Sequence, residues 1–381
     1  MRIGLIISND WELFGDGTGN YFKSQHKPLE SLQRIVENHG AQLTVMAEVG
    51  QQWAHQRIAS HERWALDVVN AWEAMLKEII RRGHDVQLHL HPQWCDAKYS
   101  DGKWEVDLAK WSVSSLDAES ILRILKEGKK YLEEILRPVR PSYECLAFRA
   151  GDYCIEPSNL VVKSLLEAGI LCDTSVTKGM YKPGFFDYRD AHSNILPWLA
   201  SPQNIKLQAS ERPTILEIPI YSYGMVDSEL FRKFLAPRIF YGLFFKIMLG
   251  RHELKWLMER RKFEYERYGI SRRPSRGDAL KSVKWWFSKV IAKASIQLDY
   301  DVLPPKAFWK CIEGSFSNES LSKYRDTDTI VPIMTIGHVK RVHSSENIDH
   351  ILSLLEDRLK DRLVYWTLAD AIKYWGHKLE M

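Results

Sequence analysis

The sequence predicts an α/β fold: a parallel sheet closed into a barrel, or doubly wound. Apolar runs of strand length alternate with stretches of helical spacing along most of the chain. Polar clusters stand where strand runs end: Asp10 with Glu12, His89 with His91, Arg149 with Asp152, then Asp173 and His338. In barrels the chemistry sits where the strands end. The length of 381 residues suits a barrel with insertions.

In order, Ile3 to Ser8 reads as a buried strand with Asn9-Asp10-Trp11-Glu12 at its end. The glycines that follow (Gly15, Gly17, Gly19) would suit a phosphate loop, but no Lys-Ser or Lys-Thr pair opens a helix after them. Pro28 to His39 has helical spacing, with proline at its start and Gly40 past its end. Leu43 to Ala47 is the second strand, and Trp64 to Arg82 a long amphipathic helix stopped at Gly83. Val86 to Leu90 is the third strand. Leu116 to Leu136 follows as a helix, capped at Ser115 or Asp117. Cys145 to Phe148 (strand), Pro157 to Ala168 (helix), Ile170 to Cys172 (strand) and Ile215 to Ile218 (strand) continue the alternation. Val331 to Ile336 is a late strand delivering His338, Asn347 to Leu359 a helix, and Leu363 to Tyr374 closes the unit.

Hydrophobic residues make up 45% and charged residues 27%, as in a soluble globular protein. The five cysteines are an odd number without paired spacing, and Cys145, Cys154 and Cys172 lie in or beside apolar runs. A reduced, cytoplasmic setting is expected. Met1 to Ile7 holds too short an apolar run for a signal peptide, and no stretch reaches the ~18 apolar residues of a spanning helix.

One stretch departs from the rest. Residues 232–293 carry 17 Lys+Arg against five acids, a net +12 in a chain whose total is +4. They are also rich in aromatics. A helical insertion over 228–294 within one 1–381 domain is expected, packed on the barrel with a solvated basic face. Contact with a membrane surface or a lipid-linked glycan is the second reading, giving a peripheral location at the inner face. No nucleic-acid reader motif is present, so nucleic acid is not an expected partner.

The chemistry centres on His89 and His91. Side chains at i and i+2 of a strand share a face, so two imidazoles project together. Asp10 and Glu12 have the same spacing. Two histidines and a carboxylate can hold a divalent metal with positions left open, zinc being the expected ion. Such a metal acidifies water and polarises a carbonyl, a second carboxylate can take a proton, and His338 can give one. Two hydrogen-bonded histidines in an ordinary loop are the structural alternative.

These motifs resemble a known family. Asn9-Asp10-Trp11-Glu12, Gly83 to His89, Phe148-Arg149-Ala150-Gly151, Cys172 to Ser175, Leu216 to Pro219, Ile336-Gly337-His338 and Trp366 to Asp370 are similar, in order, to the motifs of polysaccharide deacetylases. That is the NodB-homology superfamily, akin to carbohydrate esterase family 4. The likeness excludes about residues 225–295 and looks closest to the WbmS-type branch found with surface-polysaccharide and O-antigen synthesis. It implies an irregular seven-stranded (β/α) barrel of the glycoside hydrolase/deacetylase superfamily. It also implies a carbohydrate deacetylase acting on an amide C–N bond of a sugar or a nucleotide- or lipid-linked glycan.

Under that resemblance Asp10, His89 and His91 are the expected metal ligands. Glu12, His338 and Arg149 are the expected catalytic groups, and Trp11, Trp94 and Asp152 the expected sugar contacts. The family usually sets its second histidine four residues after the first; here that place is Gln93, and His91 must substitute. The family often has adjacent aspartates, whereas Trp11 separates Asp10 from Glu12. The exchange of roles, Glu12 on metal and Asp10 as base, therefore stays open. So do amide formation or transfer at the same site, and a non-catalytic glycan-binding subunit.

Overall fold

Residues Ile3 to Trp11 are all buried, and only a run this apolar can serve as a strand covered on both faces. The computed structural model describes residues 1–182, 184–224, 295–341 and 346–381. In chain order the first strands are β1 (Arg2–Trp11), β2 (Leu43–Glu48) and β3 (Asp85–Leu90). A hairpin, β4 (Lys98–Ser100) and β5 (Lys103–Glu105), precedes β6 (Ala147–Ala150) and β7 (Cys172–Asp173). The short β8 (Tyr181–Lys182) and β9 (Phe186–Asp187) pair with each other. Then come β10 (Trp198–Ser201), β11 (Asn204–Gln208), β12 (Ile215–Glu217), β13 (Ser222–Gly224) and β14 (Ser295–Gln297). The last two are β15 (Ile330–Thr335) and β16 (Leu363–Tyr365).

The main sheet runs β11-β10-β12-β7-β6-β3-β2-β1-β15, with β16 on the first half of β1. Every pair from β12 to β15 is parallel. β10 and β11 add an antiparallel edge. The sheet curls until Ile220, three residues past β12, bridges Met334 of β15, so the parallel strands meet again. Seven parallel strands on this circuit match the expected irregular barrel.

Helices cover the outside. They are α1 (Lys27–Asn38), α2 (Val49–Ile58), α3 (Arg63–Arg81), α4 (Ala118–Leu136), α5 (Asn159–Glu167), α6 (Pro305–Ser315), α7 (Glu346–Leu359) and α8 (Leu368–Lys378). α3 buries Trp72, Leu76, Ile79 and Ile80 at helical spacing. Asp117 caps α4, its carboxylate accepting from the Ser120 amide at 2.9 Å. Thr367 and Asp370 form a reciprocal capping box on α8.

Two shifts from the expected bounds matter for the site. β1 runs on to Trp11, so Asp10 lies within the ladder. β6 starts at Ala147, which puts Arg149 on the strand itself. α2 and α6 fall where no element was expected. α2 buries Gln51, Gln52 and His55 beside Val49 and Ala54, so no apolar stripe marks it.

The five cysteines are free thiols, with Cys145, Cys154, Cys172 and Cys311 buried. Among the described residues no helix is long and apolar enough to cross a membrane. The expected basic insertion, 228–294, lies outside the described residues.

Candidate active site

Along the end of β1, side chains alternate between the mouth of the barrel and its wall. Asp10 and Glu12 face the mouth. Trp11 faces the other way, fully buried, stacked on Trp72 at 5.5 Å and donating from Nε1 to the Gln25 carbonyl. The expectation that Trp11 touches sugar is thereby corrected: period two puts it in the core. Trp94 is also fully buried, packed edge-on against Trp104 beside Leu13 and Ala54, and is not a substrate contact.

His89 and His91 project together as their spacing requires, with ring centroids 5.0 Å apart and nearly perpendicular. His89 Nδ1 lies 2.9 Å from the Arg149 carbonyl. A carbonyl only accepts, so Nδ1 carries a proton and Nε2 is the nitrogen turned to the carboxylates. That Nε2 lies 3.4 Å from Glu12 Oε2. His91 Nε2 lies 2.5 Å from the same oxygen. The approach lacks hydrogen-bond direction, which leaves this buried nitrogen without a hydrogen-bond partner. The Gln93 amide reaches His91 Nδ1 at 3.2 Å and the Gly15 carbonyl at 3.3 Å. Gln93 thus steadies the His91 ring. Gly151 is required by close approach: a Cβ there would lie 2.6 Å from Cγ and Nδ1 of the His91 ring.

Glu48, at the end of β2, was not expected at the site. Its Oε2 accepts from the His91 amide at 2.6 Å, and its Oε1 accepts from the Gln51 amide at 3.3 Å, capping α2. Burial raises its carboxyl to about 7, against the pull of both histidines. Glu12, Glu48, His89 and His91, all buried, each offer one ligand atom within 4.8 Å of the others.

Asp10 sits beside this cluster but is tied elsewhere. Its Oδ1 accepts from Arg149 Nη1 at 2.5 Å, and its Oδ2 lies 3.5 Å from His338 Nε2. The expected grouping of Asp10 with the two histidines is corrected here: Glu12, one step past the strand, is the carboxylate that meets them. Arg149 is fully buried and is itself held by the Thr174 carbonyl (3.1 Å) and Ser8 Oγ (3.0 Å). Burial pushes Asp10 up, but Arg149, His89 and His338 outweigh it and hold the carboxyl below its ordinary value. His338 arrives after β15, on the far side of β1 from the histidine pair. Its amide donates to Asp301 Oδ2 at 2.5 Å, and its Nε2 is 3.9 Å from Glu12 Oε1.

A second group was not foreseen. Lys340 Nζ, buried, donates to Glu12 Oε1 at 2.6 Å and to the Leu13 carbonyl at 3.0 Å. Burial pushes Glu12 up, but His91, Lys340 and His89 more than offset it, leaving the carboxyl well below its usual range. For His89, burial pulls the imidazole down while Asp10 and Glu12 bring it up to about 9. Asp152 stands at the rim, accepting from Trp111 Nε1 at 2.8 Å and paired with Lys182.

The donor set fits a divalent cation. One imidazole has its tautomer fixed by a carbonyl, the other has a buried nitrogen with no hydrogen-bond partner, and the carboxylate between them is ionised. Asp10, Arg149 and His338 adjoin that set.

No protein-family model matches this chain, and no curated protein is detectably similar to it. Among solved structures it is similar to a putative polysaccharide deacetylase from Mycobacterium smegmatis, with 10% identity and a TM-score of 0.46 over 99% of this chain and 92% of that one. A probable polysaccharide deacetylase from Pseudomonas aeruginosa PAO1 gives 12% identity and a TM-score of 0.42, covering 100% and 93%. Puue allantoinase gives 11% identity and a TM-score of 0.40, covering 99% and 91%.

Proposed function

We propose that this chain is a divalent-metal hydrolase that removes an acyl group, most simply acetyl, from an amide nitrogen on a sugar. The single observation that carries the reading is the convergence of His89 Nε2 and His91 Nε2 on Glu12 Oε2, beside the Asp10–Arg149 pair. Glu12, His89 and His91 hold the cation in this reading, so the roles of Asp10 and Glu12 are the reverse of the sequence preference. Glu48 holds the His91 backbone. A bound cation, zinc for this nitrogen and oxygen set, supplies Lewis acidity toward the amide carbonyl and acidifies water.

The chain's own groups do the rest. Asp10, kept ionised by Arg149, takes the proton of the attacking water at Oδ2, the oxygen Arg149 leaves open. His338 gives a proton from Nε2 to the departing nitrogen as the C–N bond breaks. Arg149 fixes the carboxylate's direction. The substrate is proposed to be a nucleotide- or lipid-linked sugar in surface-polysaccharide or O-antigen assembly on the cytoplasmic side. Contact of residues 232–293 with the membrane surface belongs to the same proposal.

Elemental analysis of the purified protein beside His89→Ala/His91→Ala, with acetate release assayed on the same samples, tests it. A double variant that keeps metal and turnover overturns the reading. The mass of the treated glycan separates acetyl loss from replacement of a hydroxyl by an amine, the mark of amide formation.

One observation favours a non-catalytic glycan-binding subunit instead. Lys340 already places an ammonium on Glu12, so the cluster has an internal cation. Protein purified without metal, and unable to take up zinc, would support that alternative.

A further inference from the structure

Beyond Glu12 the chain passes through Leu13 into a cleft of about 700 Å³. Leu13 belongs to both places. Its carbonyl receives the same Lys340 ammonium that holds Glu12, while the residue lines the cleft. The walls are the glycine loop after β1, the β4–β5 hairpin, and the facing parts of α2 and α3.

We infer that this cleft binds an uncharged sugar ring of the glycan by stacking on Trp64, Tyr99 and Trp104, with His55 accepting from a hydroxyl. The three rings are half-buried and mutually braced, Trp64 to Tyr99 at 5.0 Å and Tyr99 to Trp104 at 5.2 Å. Trp64 Nε1 donates to Glu62 Oε2 at 2.9 Å, which fixes its plane. A sugar has an apolar C–H face for such rings and a polar edge that needs a few placed partners. His55 supplies one. It is 1% exposed, and its Nδ1 donates to the Gln51 carbonyl at 2.8 Å, so Nε2 is left as an acceptor on a ring lining the cleft. Burial holds this imidazole down at about 4, and it stays neutral.

The charges argue against a phosphate. Asp16 and Lys103 line the cleft with opposite signs. The glycines serve packing: Gly17 sits at φ +84°, and a Cβ on it would lie 2.8 Å from the Trp104 Cβ. The site stands on its own geometry. Only the view that its ligand continues into the metal cluster rests on the deacetylase reading.

Calorimetric titration of the zinc-loaded full chain with chitotetraose, cellotetraose and maltotetraose tests the inference, with uridine monophosphate as the charged control. The expected result is saturable binding of at least one tetrasaccharide, weakened about tenfold or more by Trp64→Ala and by Tyr99→Ala. Asp10→Asn, with the cleft intact, should bind as wild type. Tyr99 lies on the hairpin, so its variant reports even if Trp64→Ala fails to fold. Absence of binding by all three sugars at millimolar concentration overturns the inference, as does preference for the nucleotide. Binding that both variants leave unchanged does so too. Sugar binding without acetate release would instead fault the hydrolase reading. Acetate release with an unchanged KM in both aromatic variants would fault the cleft.

Discussion

The ring of His91 fills the space where a Cβ on Gly151 would stand, 2.6 Å from its Cγ. One backbone therefore sets how far the second imidazole can lean from the first. Gly151→Ala should push the ring off Glu12 and lower zinc affinity by about 10- to 100-fold, as loss of a supporting contact does. Stability should fall by roughly 1–3 kcal/mol from overpacking. Competitive chelator titration and thermal melts check both. Unchanged zinc affinity with a lowered melting point would show that the ring has no ligand role.

Lys340 and Glu12 form a buried pair at 2.6 Å. Lys340→Met leaves Glu12 ionised in the interior with less compensation. Metal-free protein should lose about 3–5 kcal/mol, the usual consequence of breaking a buried pair. Saturating zinc should restore most of it, since a cation at the same carboxylate replaces the missing charge. Denaturant melts with and without zinc measure the difference.

Asp10 and Arg149 divide binding from chemistry. Asp10→Asn should retain zinc while kcat drops by about 10²- to 10⁴-fold, the range for a lost general base. Arg149→Met should cost folding stability as well, because Asp10 would stay buried without its guanidinium. Zinc content, kcat and melting curves on one set of samples separate the two.

Far from the mouth, Glu37 accepts from Arg82 Nε at 2.6 Å and from His84 Nε2 at 3.0 Å. Arg82 does most to bring the carboxyl down from 4.5 to about 2; burial, the next largest effect, opposes it, and Gln33 and His84 add to the fall. A carboxyl depressed on folding binds fewer protons in the native state. Its contribution is therefore full above 4.5 and is lost as pH falls toward 2. Glu37→Gln should flatten the acid limb of stability in that window and leave the neutral-to-alkaline slope unchanged, as urea melts across pH would read.

Much of this was legible in residue patterns. The parallel α/β alternation, the gathering of polar groups at the strand ends, and the pairing of His89 with His91 follow from apolar runs and period-two spacing. The same period could have placed Trp11 correctly, since a residue between two mouth-facing carboxylates must face the wall. Glu48 gave no comparable signal: a lone glutamate before a helix reads as a cap, which it also is. Lys340 was hidden because a lysine after a strand carries no mark of burial, and its partner lies 328 positions away. α2 escaped because its buried side chains are amides and an imidazole, held by hydrogen bonds that sequence spacing does not display.

The small ladder of β13 and β14 sets Gly224 opposite Ser295. Residues 225–294 therefore begin and end at a single rung of that ladder. A tight turn grafted from Gly224 to Ser295 should leave Glu12, His89 and His91 assembled, which makes this rung a place where the chain can be cut and rejoined.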